Sequence, residues 1–366
     1  MKKVILLFIL IIPLIVRAQI NQGYTIKGSI DNAPDGPVVV KNMYNGDTVI
    51  SGIIKSGHFV LENKKKFLGV ATTLHINEKK IMSNLFIEPG TIYLSGDYNN
   101  PISIKASGTA SNDAWNIYLT KVAPYEDMIA SVKKAYSLEN DTVKKKELSA
   151  GSSKAYDDYY QFRRSFATKY NNTIIAPMFL SAGTGNLDYK GLCELMDIFD
   201  KSIPDNWYLK RLKERREIMS KIDYGKEAPD FTLKNPDGEK ITLSKYHGDI
   251  VLVDFWASWC KPCRAENINL IDLYNRYNPR GFTILSVSID ENKDKWVKAI
   301  NDDNLPWDTH VSSLVGWECP VARLFGLGFG MTGVPYSILL DREGKLCGYN
   351  LRGEDLKIKL QEIFGE

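Results

Sequence analysis

The chain has 366 residues, 44% of them hydrophobic and 25% charged, an ordinary composition for a globular protein of two or three domains. Its formal charge of +3 comes from Lys2, Lys3 and Arg17; without them 44 basic residues balance 44 acidic ones, which leaves no electrostatic case for nucleic acid. Five cysteines are too sparse for a disulfide scaffold and lack the second Cys-x-x-Cys that a zinc site wants, so neither metal nor cofactor is expected.

In chain order, the first predicted element is a leader. Lys2 and Lys3 precede an apolar run from Val4 to Val16, and Val16-Arg17-Ala18 suits a cut after Ala18. The run is short for a span of ~20 residues and contains Pro13. Residues 1–18 therefore read as a cleaved signal peptide rather than an anchor, and no Cys follows the cut to carry a lipid. An exported protein of the periplasm or cell envelope, without a stable membrane anchor, is the expectation. Residues 19–108 read as a small antiparallel β-sandwich-like domain. Tyr24, Ile26, Gly28 and Ile30 alternate with polar residues, and Asn45-Gly46-Asp47 is a hairpin signal. Leu85-Phe86-Ile87 and Thr91-Ile92-Tyr93-Leu94 flank Glu88-Pro89-Gly90. His58 and His75 read as strand-face residues rather than metal ligands.

Residues 109–222 read as a helical linker domain. Ser111, Asn112 and Asp113 are candidate caps before Trp115, and Asp205 before a helix through Trp207, Leu209, Leu212 and Ile218. Tyr156, Tyr159, Phe166 and Tyr170 share one helical face and read as core. Lys210 to Glu217 mixes charge signs and reads as a solvated face; Cys193 reads as buried and inert.

Residues 223–366 change pattern again. A hairpin at Asn235-Pro236-Asp237-Gly238 leads to the apolar run Ile250 to Phe255, a buried strand. Trp256-Ala257-Ser258-Trp259-Cys260-Lys261-Pro262-Cys263 follows and opens an amphipathic helix. A second buried strand covers Phe282 to Ile289, helices follow at 292–301 and 320–325, a third main strand covers Val334 to Leu340, and a last helix ends near Phe364. The order is βαβ, then a β-hairpin, then a helix.

A Cys-x-x-Cys between a core strand and a helix N-terminus is a thiol–disulfide site. Two cysteines three apart can close a small ring, and the free N–H groups and partial positive charge of the helix end favour a thiolate on the first sulfur. Cys260 is thus the expected attacking thiol and Cys263, one turn inward, the resolving thiol. Lys261 adds a nearby positive charge, Pro262 sits where a missing N–H is harmless, and Trp259 is expected to shield one side of the sulfurs.

The run from Val253 to Cys263 resembles the active-site motif of thioredoxins, and the surrounding domain is most similar to the periplasmic TlpA/ResA-type thioredoxins. Gly225 to Phe231, with Ala228-Pro229-Asp230-Phe231, resembles the opening of AhpC/TSA-like redoxin domains. The N-terminal segment resembles a small β domain of uncharacterised function that often precedes such domains. The resemblance implies an α/β thioredoxin fold at the C-terminus. It implies that Asp254 is a buried carboxyl able to take the proton of Cys263, and that Glu266 tunes the cysteine pair. It also implies a cis Pro335 against the sulfurs, with the backbone of Val334 pairing with substrate. Two departures stand out. Asn267-Ile268 replace the Phe-Pro common after that Glu, and Gly326 to Gly333 is a longer, glycine-rich approach to Pro335. Cys319 reads as a buried bystander rather than a third thiol, and Cys347 as core.

The leading expectation is a thiol:disulfide oxidoreductase that reduces disulfides of exported proteins, apocytochrome c among the candidates, and is recharged by a membrane electron donor thiol. A thiol peroxidase needs Pro and Thr seven and three residues before its Cys, and those positions hold Val253 and Ala257, or Trp256 and Cys260. An envelope-binding protein with an accessory redox domain is the other alternative.

Overall fold

Strand β1 (Tyr24–Asp31) buries Tyr24, Ile26, Gly28 and Ile30 and exposes Lys27, Ser29 and Asp31, the alternation of a half-buried strand. The computed structural model describes residues 23–65, 69–182, 184, 187–328 and 333–366. The leader reading and residues 329–332 of the glycine-rich approach lie outside them. The chain divides into two compact units between Ile117 and Tyr118.

The first unit holds β1, β2 (Gly36–Asn42), β3 (Thr48–Ile54), β4 (His58–Asn63), β5 (Val70–Ile76), β6 (Lys79–Ile87), β7 (Gly90–Asp97) and β8 (Asn100–Ser107). They form two four-stranded sheets, β4-β1-β7-β8 and β3-β2-β5-β6. Both sheets contribute to one apolar core that includes Ile26, Val40, Leu74 and Ile92. The sandwich is not wholly antiparallel: β1 and β7 run parallel, Tyr24 beside Gly90 through Asp31 beside Asp97. The intervening strands supply the crossover that parallel neighbours require. His58 is exposed, and the His75 Nε2 lies 2.8 Å from the Thr73 hydroxyl. Among the described residues no group of three or more His, Cys, Asp or Glu could hold a metal ion.

Helix α1 (Ala110–Leu138) runs through the boundary. Its first turn is fastened within the first unit. The buried Glu88 carboxylate accepts from the Ser111 N–H at 2.7 Å and its hydroxyl at 2.6 Å, and Asn112 bonds both backbone polar groups of Phe86.

The second unit continues with α2 (Thr142–Lys169), α3 (Ile175–Ser181), α4 (Tyr189–Met196) and α5 (Trp207–Met219). Of the aromatic stripe, Phe166 is fully buried, against Tyr118, Tyr170 and Phe179, whereas Tyr156, Tyr159 and Tyr170 are half-buried. The cap of α5 is Asn206, not Asp205: its side-chain oxygen accepts from the Leu209 N–H at 2.9 Å.

The charge-dense stretch of α5 is not wholly a solvated face. Arg215 is completely buried. Its guanidinium donates to the carbonyls of Gly326 (3.1 Å), Thr184 (2.8 Å) and Leu187 (3.3 Å) and to the Tyr349 hydroxyl (2.9 Å). Tertiary contact with acceptors far along the chain turned this one position inward. Gly326 takes a positive φ of 75° there, and a Cβ would stand 2.9 Å from the Met219 sulfur. Arg215→Met should cost about 2–3 kcal/mol, because it strands buried acceptors while relieving the burial of a charge. A urea midpoint unchanged from wild type would contradict this.

The sheet of the second unit comprises β9 (Thr232–Lys234), β10 (Lys240–Thr242), β11 (Ile250–Trp256), β12 (Phe282–Ser288), β13 (His310–Ser312), β14 (Tyr336–Leu340) and β15 (Leu346–Tyr349). Their order is β10-β9-β13-β12-β11-β14-β15. β11 is parallel to β12 and antiparallel to β14, and all seven of its residues are buried. Helices α6 (Lys261–Tyr277), α7 (Lys293–Asp302), α8 (Pro320–Leu324) and α9 (Gly353–Phe364) complete it. Leu270, Leu273 and Tyr277 of α6 and Leu356 and Leu360 of α9 share a core with Ile250, Leu252 and Ile284. The arrangement β11-α6-β12, then the β14–β15 hairpin, then α9, is a thioredoxin fold. Among the described residues no helix is long and apolar enough to cross a membrane.

Candidate active site

Seven buried residues of β11 end at Trp256, and the next turn delivers Cys260 to the N-terminus of α6 as its cap residue. Cys260 and Cys263 form a disulfide with an S–S distance of 2.02 Å. The Cys263 N–H donates to the Cys260 sulfur at 3.2 Å. A sulfur held at this position faces the unsatisfied N–H groups of the first helical turn, which favour negative charge on it. Residue exposure does not separate the two cysteines: Cys260 is 4% exposed and Cys263 2%. Position on the helix does. Pro262 occupies the first turn, and both it and Lys261 are exposed.

The turn before Cys260 is pinned from two sides. Asp290, buried just past the end of β12, accepts from the Ser258 N–H at 2.9 Å, the Ser258 hydroxyl at 2.6 Å and the Ser288 hydroxyl at 2.7 Å. Arg264 of α6 donates to the Ser258 carbonyl at 3.3 Å and is itself held by a salt bridge to Asp303. Asn267, at the first departure from the family pattern, is buried and donates to Asp303 at 2.7 Å.

Asp254 is buried on β11, level with Ser286 on β12 and Ser337 on β14. Burial, reinforced by the negative charge of Glu266, pushes its carboxyl up to about 7, against opposing pulls from the Arg352 charge and a Ser286 hydrogen bond. The Ser286 hydroxyl accepts from Trp307 Nε1 at 3.0 Å, which leaves its proton free for the carboxyl. His310 continues the row beside Ser286, and burial pushes its imidazole down to about 4.

Glu266 lies on α6, half-buried. Its carboxylate accepts from the Gly353 N–H at 2.7 Å, at the start of α9, and from Asn269 at 3.2 Å. The Val334–Pro335 peptide is cis and both residues are half-buried. Tyr336, the next residue, pairs with Phe255 of β11, so Pro335 stands one strand from the end of β11 that leads to Cys260. Arg352 donates to the Pro335 carbonyl at 3.2 Å.

Trp259 is 55% exposed rather than packed down, with its ring 6.1 Å from that of Trp317, another exposed tryptophan. Cys319 is free and fully buried. Cys347 is half-buried and burial pushes its thiol up to about 11. Cys193 is half-exposed, not buried. Asp290, Ser286, Trp317 and Arg352 escaped the sequence reading because each lies far along the chain from the cysteines. Only the Asp-Glu pair after the β12 run hinted at a polar strand end.

The family model described as the AhpC/TSA family matches residues 224–348, and one described as a domain of unknown function (DUF4369) matches residues 24–115. The chain is 30% identical over 142 residues to the thiol-disulfide oxidoreductase ResA of Bacillus thuringiensis subsp. konkukian, covering 39% of this chain and 77% of that protein. It is 32% identical over 149 residues to the ResA of Bacillus anthracis, covering 38% and 76%. Among solved structures it is similar to the thioredoxin domain of a thiol-disulfide oxidoreductase from Bacteroides vulgatus, at 34% identity and a TM-score of 0.35, covering 38% of this chain and 96% of that one.

Proposed function

The chain belongs to the ResA family of thiol-disulfide oxidoreductases, and from that premise we propose that it works in the reducing direction, outside the cytoplasm, on disulfides of exported proteins. It is a thiol:disulfide oxidoreductase. The observation that carries the proposed mechanism is the Cys260–Cys263 disulfide at the N-terminus of α6, following a strand with a buried Asp254.

In the reduced enzyme the Cys260 thiolate attacks one sulfur of the substrate disulfide. A Cys260–substrate mixed disulfide forms and the substrate's other sulfur leaves as a thiolate that takes up a proton. Cys263 gives its proton to the Asp254 carboxylate and attacks the Cys260 sulfur. The Cys260–Cys263 disulfide forms and the second substrate thiol leaves. Two electrons have passed from the enzyme to the substrate, and a donor dithiol must restore them; a thiol fed from the membrane is the proposed donor. Apocytochrome c is one candidate substrate. Val334 and Pro335 supply backbone for the substrate strand beside the sulfurs, and Trp259, Lys261 and Pro262 line the approach.

The test is the reduction potential of the Cys260–Cys263 couple, by equilibration with dithiothreitol and glutathione. A value near −270 mV, about that of thioredoxin, supports the reducing direction, whereas one near −120 mV, about that of a strong oxidant, reverses it.

A further inference from the structure

The loop between β15 and α9, together with the first residue of α9, is fastened at four consecutive residues to the elements around the cysteines. The Asn350 N–H donates to the Ser337 carbonyl at 2.7 Å, and the Ser337 hydroxyl donates to the Leu351 carbonyl at 2.8 Å. Arg352 donates to the Pro335 carbonyl at 3.2 Å, and the Gly353 N–H donates to Glu266 at 2.7 Å. One short loop thus grips β14, the cis-proline segment and α6. Arg352 is the cation of this buckle. It lies next in sequence to the residue that holds Glu266, and its charge opposes that of Glu266 at the buried Asp254.

The groups facing Asp254 come from every element around it: Glu266 from α6, Ser286 from β12, Ser337 from β14 and Arg352 from the loop. Two carboxyl groups in a partly dry site repel each other, and one fixed cation nearby makes the buried Asp254 easier to ionise. A guanidinium is suited to this because it stays charged and its planar fork can serve a carbonyl at the same time.

We propose that Arg352 is a positioning residue of the redox site: it fixes the Pro335 carbonyl, and with it the substrate-pairing backbone, while its charge balances the Asp254–Glu266 carboxyl pair. This rests on the reading of Asp254 as the base for Cys263. It makes the β15–α9 loop the link between substrate placement and proton transfer.

The test is a carbon-13 NMR titration of the Asp254 carboxyl in the oxidised full chain, so that no thiol titrates alongside it. Wild type is compared with R352M, R352Q and E266Q. The Asp254 midpoint should rise by about half a unit or more in R352M and R352Q, where a cation is lost, and fall in E266Q, where an anion is lost. In a disulfide-peptide turnover assay, R352M should raise KM by about tenfold, the worth of a charge-assisted hydrogen bond. R352Q, which keeps a donor for the Pro335 carbonyl, should raise it less. R352Q also decides the matter if R352M does not fold. Midpoints that stay put in the folded arginine variants, or that move the same way as in E266Q, overturn the proposal. A wild type without Cys260-dependent turnover would defeat the reductase reading and leave the titration to judge Arg352 alone.

Discussion

Cys260→Ser should lose disulfide turnover by about 10⁴-fold or more, the scale of removing an enzyme's nucleophile. Cys263→Ser should behave differently. Its Cys260 thiolate still attacks, but nothing then cleaves the intermediate, so the variant should accumulate as a mixed disulfide with substrate, visible as a covalent mass adduct. The physical reason for this asymmetry is helix position. Cys260 caps α6 and accepts the Cys263 N–H, while Cys263 sits one turn inside, in the body of the helix. The two cysteines are almost equally buried as residues, so that burial does not assign the roles. If Cys260→Ser is the variant that traps substrate, the assignment is reversed; if both keep turnover, the pair is not the reaction centre.

Asp254→Asn should slow turnover by about 10²-fold or more at neutral pH, the usual worth of a placed proton acceptor. The same substitution should stabilise the fold at alkaline pH. In the unfolded chain this carboxyl titrates near the ordinary value of about 3.9; in the folded protein it is pushed up to about 7, first by burial and then by Glu266. Below about pH 4 both states are protonated and ionisation of Asp254 contributes no difference. Between pH 4 and 7 the unfolded state gives up the proton and the folded state keeps it, so stability falls as pH rises. Above pH 7 the loss is complete, at about 4 kcal/mol as an upper figure for a shift of this size. An asparagine never ionises, so Asp254→Asn should lie above wild type in unfolding free energy at pH 8 and gain nothing of this kind at pH 4. Urea unfolding at the two pH values measures this. A variant with the same offset at both would show that the buried carboxyl carries no such cost.

That cost is informative about the site. A leucine or valine at 254 would continue the apolar run of β11 without it. The chain instead keeps a carboxyl among Ser286, Ser337, Glu266 and Arg352, an arrangement that keeps its titration in the range where a base works.

The C-terminal fold and the cysteine pair are legible directly in the residue order. The cysteines, the proline between them and the strand-then-helix setting are local in the chain, and local pattern is what a sequence displays directly. The period-2 strand at Tyr24 and the apolar runs at Ile250 and Phe282 are legible for the same reason: each records in consecutive residues which face is buried. What local pattern does not display in this chain comes from distant contact. β1 finds β7 as a parallel neighbour across more than fifty residues of chain. Arg215 looks like one more charge on a mixed helix until Thr184, Gly326 and Tyr349 close around it. Asp290 pins Ser258 from 32 residues away, and Arg352 holds Pro335 from 17. None of these is visible in local pattern, because a hydrogen bond between residues far apart in sequence imposes no spacing or period on the residues between them.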